Sequence, residues 1–516
     1  MNAKPKEACS LLFVNPCLRK NSFSKLLPIG LGYVMTYFKT RGYSFDLLDV
    51  DLNEYSDEYI EDYLRQHPYD FVMLGSIVTH YKWVKWFVNT VKKHQPQAKV
   101  IVGNSVAGSI PEVFLKHTQA DVVVIGEGEI SAYETVEALR QQQSLDDVAG
   151  IAFRHPVSHE MIKTPVRATG PVDDFEMVNW DFFDVERYIS SASLSHGFDT
   201  QNPQAVRVMP VSTARGCVFK CTFCHYVFWN DPYRHRSAES ILAEVRRNIE
   251  KYQANYINFW DDLSFASAKQ AERLADQILA SGLKFSWSAA IRVDFFSRNK
   301  LPRERCIEIA HKMKAAGCKA LGFSLESGNK EILEMMNKRI DVSAFLDTVE
   351  ILREVDIVCN TSVVFGYPIE TRESIRETFA QCLRAKVYPS IGFLLPLPGT
   401  GMYDYAKEHG FITDEDAYLD SITERQDICL NMTQLSDEDI MQEIKRGAEQ
   451  LNELLQLGLD EERYIRTGRY QNDKGVHDKR EGPLDPDNIQ RNENDFSFNY
   501  SQTVFQVDGG KADAVC

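Results

Sequence analysis

Cys217-Val-Phe-Lys-Cys221-Thr-Phe-Cys224 decides how this chain is read, and Arg215-Gly216 leads into it. Three thiols in eight residues can wrap one face of a soft-metal centre. Structural zinc sites take four ligands, usually from paired C-x2-C units, and no second pair follows here. A [4Fe–4S] cluster held by three cysteines keeps one iron open for another ligand. The plain alternative is three unrelated cysteines in a strand-to-loop turn; the spacing and its setting argue against it.

Outward from this stretch, the βα alternation is regular. Strand Val208–Thr213 delivers the cysteines. Strands Ile257–Asp262, Phe285–Arg292, Ala320–Glu326, Val358–Gly366 and Ser390–Leu395 follow. Helices over 237–252, 267–280, 303–316, 330–337, 343–354 and 371–386 separate them. Six strands with right-handed crossovers make a (β/α)6 partial barrel. Barrel chemistry sits at the carboxyl ends of the strands. There stand Asp261-Asp262, Arg292-Val-Asp294, Ser324 and Glu326-Ser-Gly328. Each alone is an ordinary loop polar residue; together they form a candidate site.

The cysteine spacing, with the aromatic Phe223 before the last cysteine, resembles the radical S-adenosylmethionine (SAM) superfamily. The strand-end residues echo that family's D-D, R-x-D and E-S-G-N patterns. Gly366-Tyr-Pro-Ile-Glu-Thr371 resembles its Gly-x-Pro-x-Glu-Thr turn, and Leu397-Pro-Gly-Thr400 its closing segment. The resemblance implies that Cys217, Cys221 and Cys224 hold the cluster. It implies that Phe223, Asp261, Asp262, Arg292, Ser324 and Glu326 help hold SAM. The chemistry implied is reductive cleavage of SAM, giving a radical that attacks an unreactive C–H, with the protein positioning the reactants. It also implies a one-electron donor such as a flavodoxin or ferredoxin. Cys306, Cys318, Cys359 and Cys382 fall in barrel elements and read as packing residues.

Upstream, residues 1–150 read as an α/β unit of their own. Apolar runs at Leu11–Asn15, Phe45–Asp51, Phe71–Ser76, Lys99–Gly103 and Val122–Gly126 alternate with helix-period segments. Continuous apolar strands separated by helices make a doubly wound, Rossmann-like parallel sheet covered on both faces. Its ligand belongs at the carboxyl ends of the strands. Those ends read Ser76-Ile-Val-Thr79-His80, Gly103-Asn104-Ser105 and Gly126-Glu127-Gly128-Glu129. Small residues let a flat ligand approach the backbone. No G-x-G-x-x-G follows the first strand, which disfavours a dinucleotide. The set, with Pro28-Ile-Gly-Leu31, resembles the cobalamin-binding domain that precedes many radical SAM enzymes. The resemblance implies cobalamin contacts at Ser76, Thr79, Gly103, Asn104, Gly126, Glu127 and Gly128. Gly103-Asn104 departs from the family's Gly-Gly. The D-x-H-x-x-G motif that brings a histidine to cobalt is absent, and His80 reads as a polar helix-start residue.

Residues 151–205 are less periodic and read as a connector whose apolar and aromatic residues, Val172 to Tyr188, pack on the flanking domains. The barrel covers 206–420. A helical extension follows over 421–466, with Ser436 at a helix start and Gly458 at its end. The polar 467–516 reads as a flexible tail, although Phe496, Phe498, Tyr500, Val504 and Phe505 suit a docking strand.

Composition limits the function. A length of 516 residues calls for several domains, and 44% hydrophobic residues supply their cores. A net charge of −16 argues against nucleic-acid binding. No apolar run is long enough to span a bilayer, and the N-terminus lacks a signal peptide's apolar core. The eleven cysteines therefore read as reduced thiols in the cytoplasm. The commonest activity the resemblance implies is methyl transfer through cobalamin to an unactivated carbon of a small molecule. Cyclisation, oxidation or ring rearrangement without methyl transfer remains open. A methylthiotransferase would need a second cysteine trio, which Cys9 and Cys17 do not supply, and a degenerate binding protein would not keep the first. The substrate entrance is expected around 185–205, 228–236 and 396–425, where Trp229, Tyr233, Phe393, Tyr403 and Tyr418 stand.

Overall fold

The structure is a computed structural model that describes residues 5–19, 25–195, 206–224, 232–423 and 425–465. The first sheet is built from β1 (Leu11–Asn15), β2 (Asp46–Asp49), β3 (Phe71–Gly75), β4 (Lys99–Gly103), β5 (Val122–Val124), β6 (Ile151–Arg154) and β7 (Met161–Lys163). Their order is β2-β1-β3-β4-β5-β6-β7. The first five are parallel, in a doubly wound order that reverses between β1 and β3. Strand residues alternate between two cores because successive side chains face opposite sides. Phe13, Met73, Ile101 and Val124 pack with Met35, Phe38 and Val136 of helices Ile29–Thr40 and Gly128–Gln141. Leu12, Val72, Val100 and Val123 pack with Ile60, Val84, Phe87 and Phe114 on the other face.

Two features differ from the sequence reading. Residues 151–163, read as connector, add β6 and β7 antiparallel to the parallel core. β7 carries an exposed, half-buried, exposed pattern at the sheet edge, so no apolar run announces it. β2 stops at Asp49, whose carboxylate caps the short helix Val50–Asn53 through Leu52 N.

The connector packs as expected. Val178 Cγ1 lies 2.5 Å from the Cβ position of Gly32, with the Trp180 ring beside it, so the helix at Gly32 admits no side chain. Trp180 and Tyr188 are fully buried. Residues 196–205 and 225–231 lie outside the described residues.

The second sheet holds β8 (Val208–Val211), β11 (Tyr256–Phe259), β12 (Ser286–Ala290), β13 (Cys318–Glu326), β14 (Val358–Phe365) and β15 (Ser390–Phe393), all parallel and in consecutive order. Between β8 and β11, β9 (Ala214–Arg215) and β10 (Arg234–His235) form a two-residue antiparallel ribbon. Among the described residues β8 and β15 do not pair, which leaves the six-stranded barrel open along one side. Cys306, Cys318, Cys359 and Cys382 are buried packing residues.

Ser436 caps helix Asp437–Leu455 through Asp439 N. The helix ends at Gln456, whose left-handed backbone does the work expected of Gly458. It packs on helix Arg372–Ala385, with Glu443 paired to Arg372 and Arg376. Residues 466–516, including the aromatic tail positions, lie outside the described residues. At Gly447 an added Cβ would stand 2.2–2.6 Å from the Phe379 ring. Gly447→Ala is therefore expected to destabilise the chain by about 1–3 kcal/mol through overpacking. Exposed Glu449→Ala should change stability by less than about 0.5 kcal/mol. Urea unfolding of both variants checks this.

Candidate functional site between the two sheets

The carboxyl ends of β1, β3, β4 and β5 open onto a cavity of about 560 Å³ whose far wall comes from the barrel. This volume falls within the roughly 300–1,000 Å³ of ligand sites, and the position is the switch point where doubly wound sheets bind ligands. Glycine backbone forms much of its floor: Gly30, Gly75, Gly103, Gly126 and Gly128 line it. A Cβ built on Gly30 or Gly126 would meet no atom within 4 Å, so both face open space. Asn104 adopts φ 62°, ψ −170°, a region that glycine normally occupies. Its side chain compensates by accepting a hydrogen bond from Ser105 N at 2.6 Å. That hydrogen bond explains how an asparagine stands where glycine was expected.

Of the expected cobalamin contacts, Gly103, Asn104, Gly126, Glu127 and Gly128 line the cavity. Ser76 and Thr79 do not. Ser76 is buried, its hydroxyl 3.2 Å from His80 Nδ1, and Thr79 lies half-buried in the 3-10 turn Val78–His80. Gly75, one residue earlier, takes the place at the cavity. His80 stacks on Trp83 with ring centroids 5.0 Å apart, in keeping with its ordinary reading.

Glu127 is engaged otherwise than the sequence suggests. Its carboxylate meets Arg215 Nη1 at 3.1 Å and Arg234 Nη2 at 2.5 Å. Arg215 also reaches Glu129 at 2.5 Å and lies over the rings of Phe175 and Tyr33, at 4.1 and 4.8 Å. Burial opposes the Arg215 charge, but Glu129 and Glu127 outweigh it and hold the guanidinium above its ordinary range. Sequence reasoning named Arg215 as the lead into the cysteine motif but gave it no role; its position two residues before Cys217 was the available signal.

The cysteine loop is held from several sides. Thr222 N and Oγ1 donate to the carbonyls of Met336 and Met335, each at 2.9 Å. Asn337 Nδ2 donates to Lys220 O at 2.7 Å, and Met402 N to Thr222 O at 3.0 Å. The last contact brings the Pro-Gly-Thr segment onto the loop. Arg292 lies 3.7 Å over the Phe219 ring while binding Asp294 at 2.8 Å and the carbonyls of Lys338 and Arg339. Its donors thus go to Asp294 and the 338–339 carbonyls, and its flat face meets the loop at Phe219. Asp261 likewise accepts from Ser212 Oγ, Thr213 N, Thr213 Oγ1 and Ala214 N at 2.6–3.1 Å, fixing the chain as it leaves β8. The Phe223 ring packs edge-on against Tyr367. Ser324 Oγ shares a 2.7 Å hydrogen bond with Ser362 Oγ.

Two carboxylates are poised for a ligand. Asp262 is an exposed residue at the cavity, and desolvation by the protein around its carboxyl, then neighbouring Asp261, raises it to about 6. Glu326 ends β13 in a left-handed conformation, φ 64°, after a register shift against β14. One oxygen accepts from Lys338 Nζ at 2.9 Å; the other, Oε2, is buried without a partner. Of the aromatic residues expected at an entrance, Phe393, Tyr403 and Tyr418 are buried in the core, and Tyr233 donates to Ser264 O at 2.9 Å. Trp229 lies outside the described residues. A larger hollow, about 880 Å³, flanks β15 beside helix Asp437–Leu455 and contains no cysteine or strand-end glycine.

Residues 211–382 match the Radical SAM superfamily, and residues 17–136 match the B12 binding domain family. The chain belongs to the radical SAM enzymes that carry a B12-binding domain. An uncharacterized methyltransferase of Pyrococcus horikoshii is 24% identical over 384 residues, covering 73% of this chain and 78% of its own. An anaerobic magnesium-protoporphyrin IX monomethyl ester cyclase of Cereibacter sphaeroides is 24% identical over 365 residues, 68% of this chain and 55% of the cyclase. The solved structure of the radical SAM methyltransferase TsrM of Kitasatospora setae, with cobalamin and a [4Fe-4S] cluster, superposes with a TM-score of 0.62 at 17% identity. It covers 78% of each chain, a likeness of fold.

The residues of this radical SAM chain fit the groups its family implies. Among the described residues no three His, Cys, Asp or Glu side chains converge on a single ion. A cluster makes a different demand, because each thiolate binds a separate iron. Burial pushes all three thiols up; Cys221 adds to this at Cys217, Asp262 and both other cysteines add to it at Cys224, and Glu326 adds to it at Cys221, while Lys338 opposes it at each and Arg292 at Cys221. The unpaired Glu326 Oε2 suits an ammonium group, and the glycine floor suits a wide flat ligand. Two outcomes follow. Arg215→Gln should strand the buried Glu129 carboxylate, while Glu127 keeps Arg234, and lower stability by about 3–5 kcal/mol, read by urea unfolding. Gly30→Leu, projecting into open space, should leave folding intact and weaken hydroxocobalamin retention at least about tenfold, read by the visible spectrum after gel filtration.

Proposed function

We propose that this chain gathers a [4Fe–4S] cluster, SAM and cobalamin around one mouth and methylates an unactivated carbon of a small molecule. The observation that carries this reading is the shared wall: Arg215, Gly216, Asp261 and Asp262, beside the cysteine loop, line the same cavity as the strand-end glycines. Cys217, Cys221 and Cys224 would hold the cluster. Glu326 would accept the SAM ammonium, with Lys338 orienting the carboxylate. Gly103, Asn104, Gly126 and Gly128 would seat the corrin. Bound there, the three groups supply one-electron cleavage of SAM and carriage of its methyl group.

The chain's own residues set the conditions. Asp261 and Arg292 keep the cysteine loop in place, so the thiols meet their ligand without reordering. Asp262, raised to about 6, is the free acid facing the cavity and can hold or release a proton near neutrality. Phe13, Ile29, Leu31, Val34 and Met73 line the cavity and exclude water from it. We divide the chain into a corrin-binding unit ending after β7, a connector, a barrel and a helical extension. The electron comes from a flavodoxin or ferredoxin in this reading. A reducing, cytoplasmic setting suits the ten unpaired cysteines among the described residues. No described helix is long and apolar enough to cross a membrane. The second reading, ring closure without methyl transfer, is favoured by the likeness to the cyclase.

The test is to reduce the reconstituted protein with methyl-labelled SAM and cell extract and follow the label by mass spectrometry. Label in a small-molecule product supports methyl transfer; methionine and 5′-deoxyadenosine without labelled product support the second reading. The Cys217, Cys221, Cys224 triple alanine variant should lose iron and all SAM cleavage. Glu326→Gln should keep its iron but bind SAM at least about tenfold more weakly, since a charge-assisted hydrogen bond is lost.

A further inference from the structure

After helix Glu415–Ser421 the chain returns along the free edge of β15, where Phe393 N donates to Arg425 O at 2.6 Å. A segment paired to a strand edge sends successive side chains to opposite faces. Gln426 goes outward and lines the large hollow beside Phe393. Arg425 goes inward over Gly392, its Cγ, Cδ and Nε lying 3.2–3.4 Å from where a Cβ would stand. Glycine at 392 is what admits the arginine stem. The guanidinium then reaches Ser390 Oγ at 3.4 Å.

Register shows which face this is. Ser390 pairs with Ser362, and Ser362 with Ser324. In-register parallel neighbours share a face. Two residues earlier on that face stand Gly322 and Asn360, which line a hollow of about 280 Å³ inside the barrel together with Asn258 and Ser288. The inward positions named on these five strands are thus small or polar, and Trp260 and the carboxylate of Asp261 close the hollow at its β11 end. A (β/α) barrel interior is ordinarily filled by bulky branched side chains. This one keeps space and hydrogen-bonding groups, and Arg425 brings a cation to its open side. Among the described residues no carboxylate pairs with Arg425; its side-chain contact is the single serine.

A guanidinium on the inward face, beside an open polar hollow, selects a partner of opposite charge, and its planar fork matches carboxylate or phosphate. We propose that Arg425 binds the anionic group, carboxylate or phosphate, of the small-molecule substrate, whose polar body occupies the hollow lined by Asn258, Ser288 and Asn360. This rests on the reading of the barrel as the site of a small-molecule reaction and deepens it by naming the substrate class.

The test uses the reconstituted full chain saturated with SAM, titrated calorimetrically with inorganic phosphate, acetate and neutral acetamide. Phosphate and acetate should bind and acetamide should not. Arg425→Gln should weaken both anions at least about tenfold, and Arg425→Lys less, because charge survives without the fork. Iron content and SAM affinity should match the unmutated protein. In the unmutated protein, phosphate should protect Arg425 from phenylglyoxal, read by peptide mass spectrometry; this measurement stands if a variant misfolds. No anion binding, unchanged binding in Arg425→Gln, or no protection overturns the proposal. Loss of SAM affinity in Arg425→Gln overturns it too, since it gives the guanidinium to the SAM carboxylate. None of these readouts requires SAM cleavage, so failure of the anion site is distinguishable from failure of the methyl-transfer reading.

Discussion

One buried guanidinium joins the two halves of the site. Arg215 sits in the β9–β10 ribbon beside Arg234, and both reach Glu127, while Arg215 also holds Glu129. The acids begin the helix after β5; the arginine ends two residues before the first cysteine of the trio. A buried ion pair yields little net stability, because desolvation offsets most of the attraction. What it fixes is geometry: two carboxylates and two aromatic rings leave Arg215 one placement, and the cysteine loop follows from it. Distance between the glycine floor and the cysteines is therefore set by side chains that bind neither.

This arrangement accounts for what could be read from the chain alone. The parallel strands were legible because strands covered on both faces are continuous apolar runs, as in Leu11–Asn15, where every residue is buried. The β6–β7 hairpin was not, since Met161–Lys163 carries an edge strand's exposed side chains and contributes nothing to a run. The strand-end glycines were legible because absence of a side chain is itself the property used. Asp261, Arg292 and Glu127 were legible as polar groups at the right strand ends, but a sequence gives no partner. Asp261 meets the backbone after β8, Arg292 the carbonyls after helix Lys330–Met335, and Glu127 the barrel's arginines. All three partners lie far along the chain, beyond the reach of local pattern.

Backbone strain collects where the ligands belong. Asn104 and Glu326 both hold positive φ at the ends of strands, each in a conformation disfavoured by about 1–3 kcal/mol. Each is retained by a neighbour: Asn104 through its own side chain on Ser105 N, Glu326 through the register shift against β14 and the ammonium of Lys338. The left-handed turn is thus held at the end of β13 by its neighbours, and it leaves Oε2 of Glu326 buried without a partner.

Lys338 then connects this carboxylate to the cysteines. It neutralises one oxygen of Glu326 and favours ionisation of all three thiols. Arg292 adds a second cation at Cys221, and both are positioned by the segment that follows helix Lys330–Met335, whose carbonyls also anchor Thr222. One short stretch, Met335–Arg339, therefore binds the loop, bends Arg292 over Phe219 and presents Lys338. The thiols lie in a site that burial would otherwise keep protonated, and these cations are the local means of offsetting that burial. Moving the stretch would release the loop and remove the charge at once, so loop order and thiol ionisation depend on the same segment.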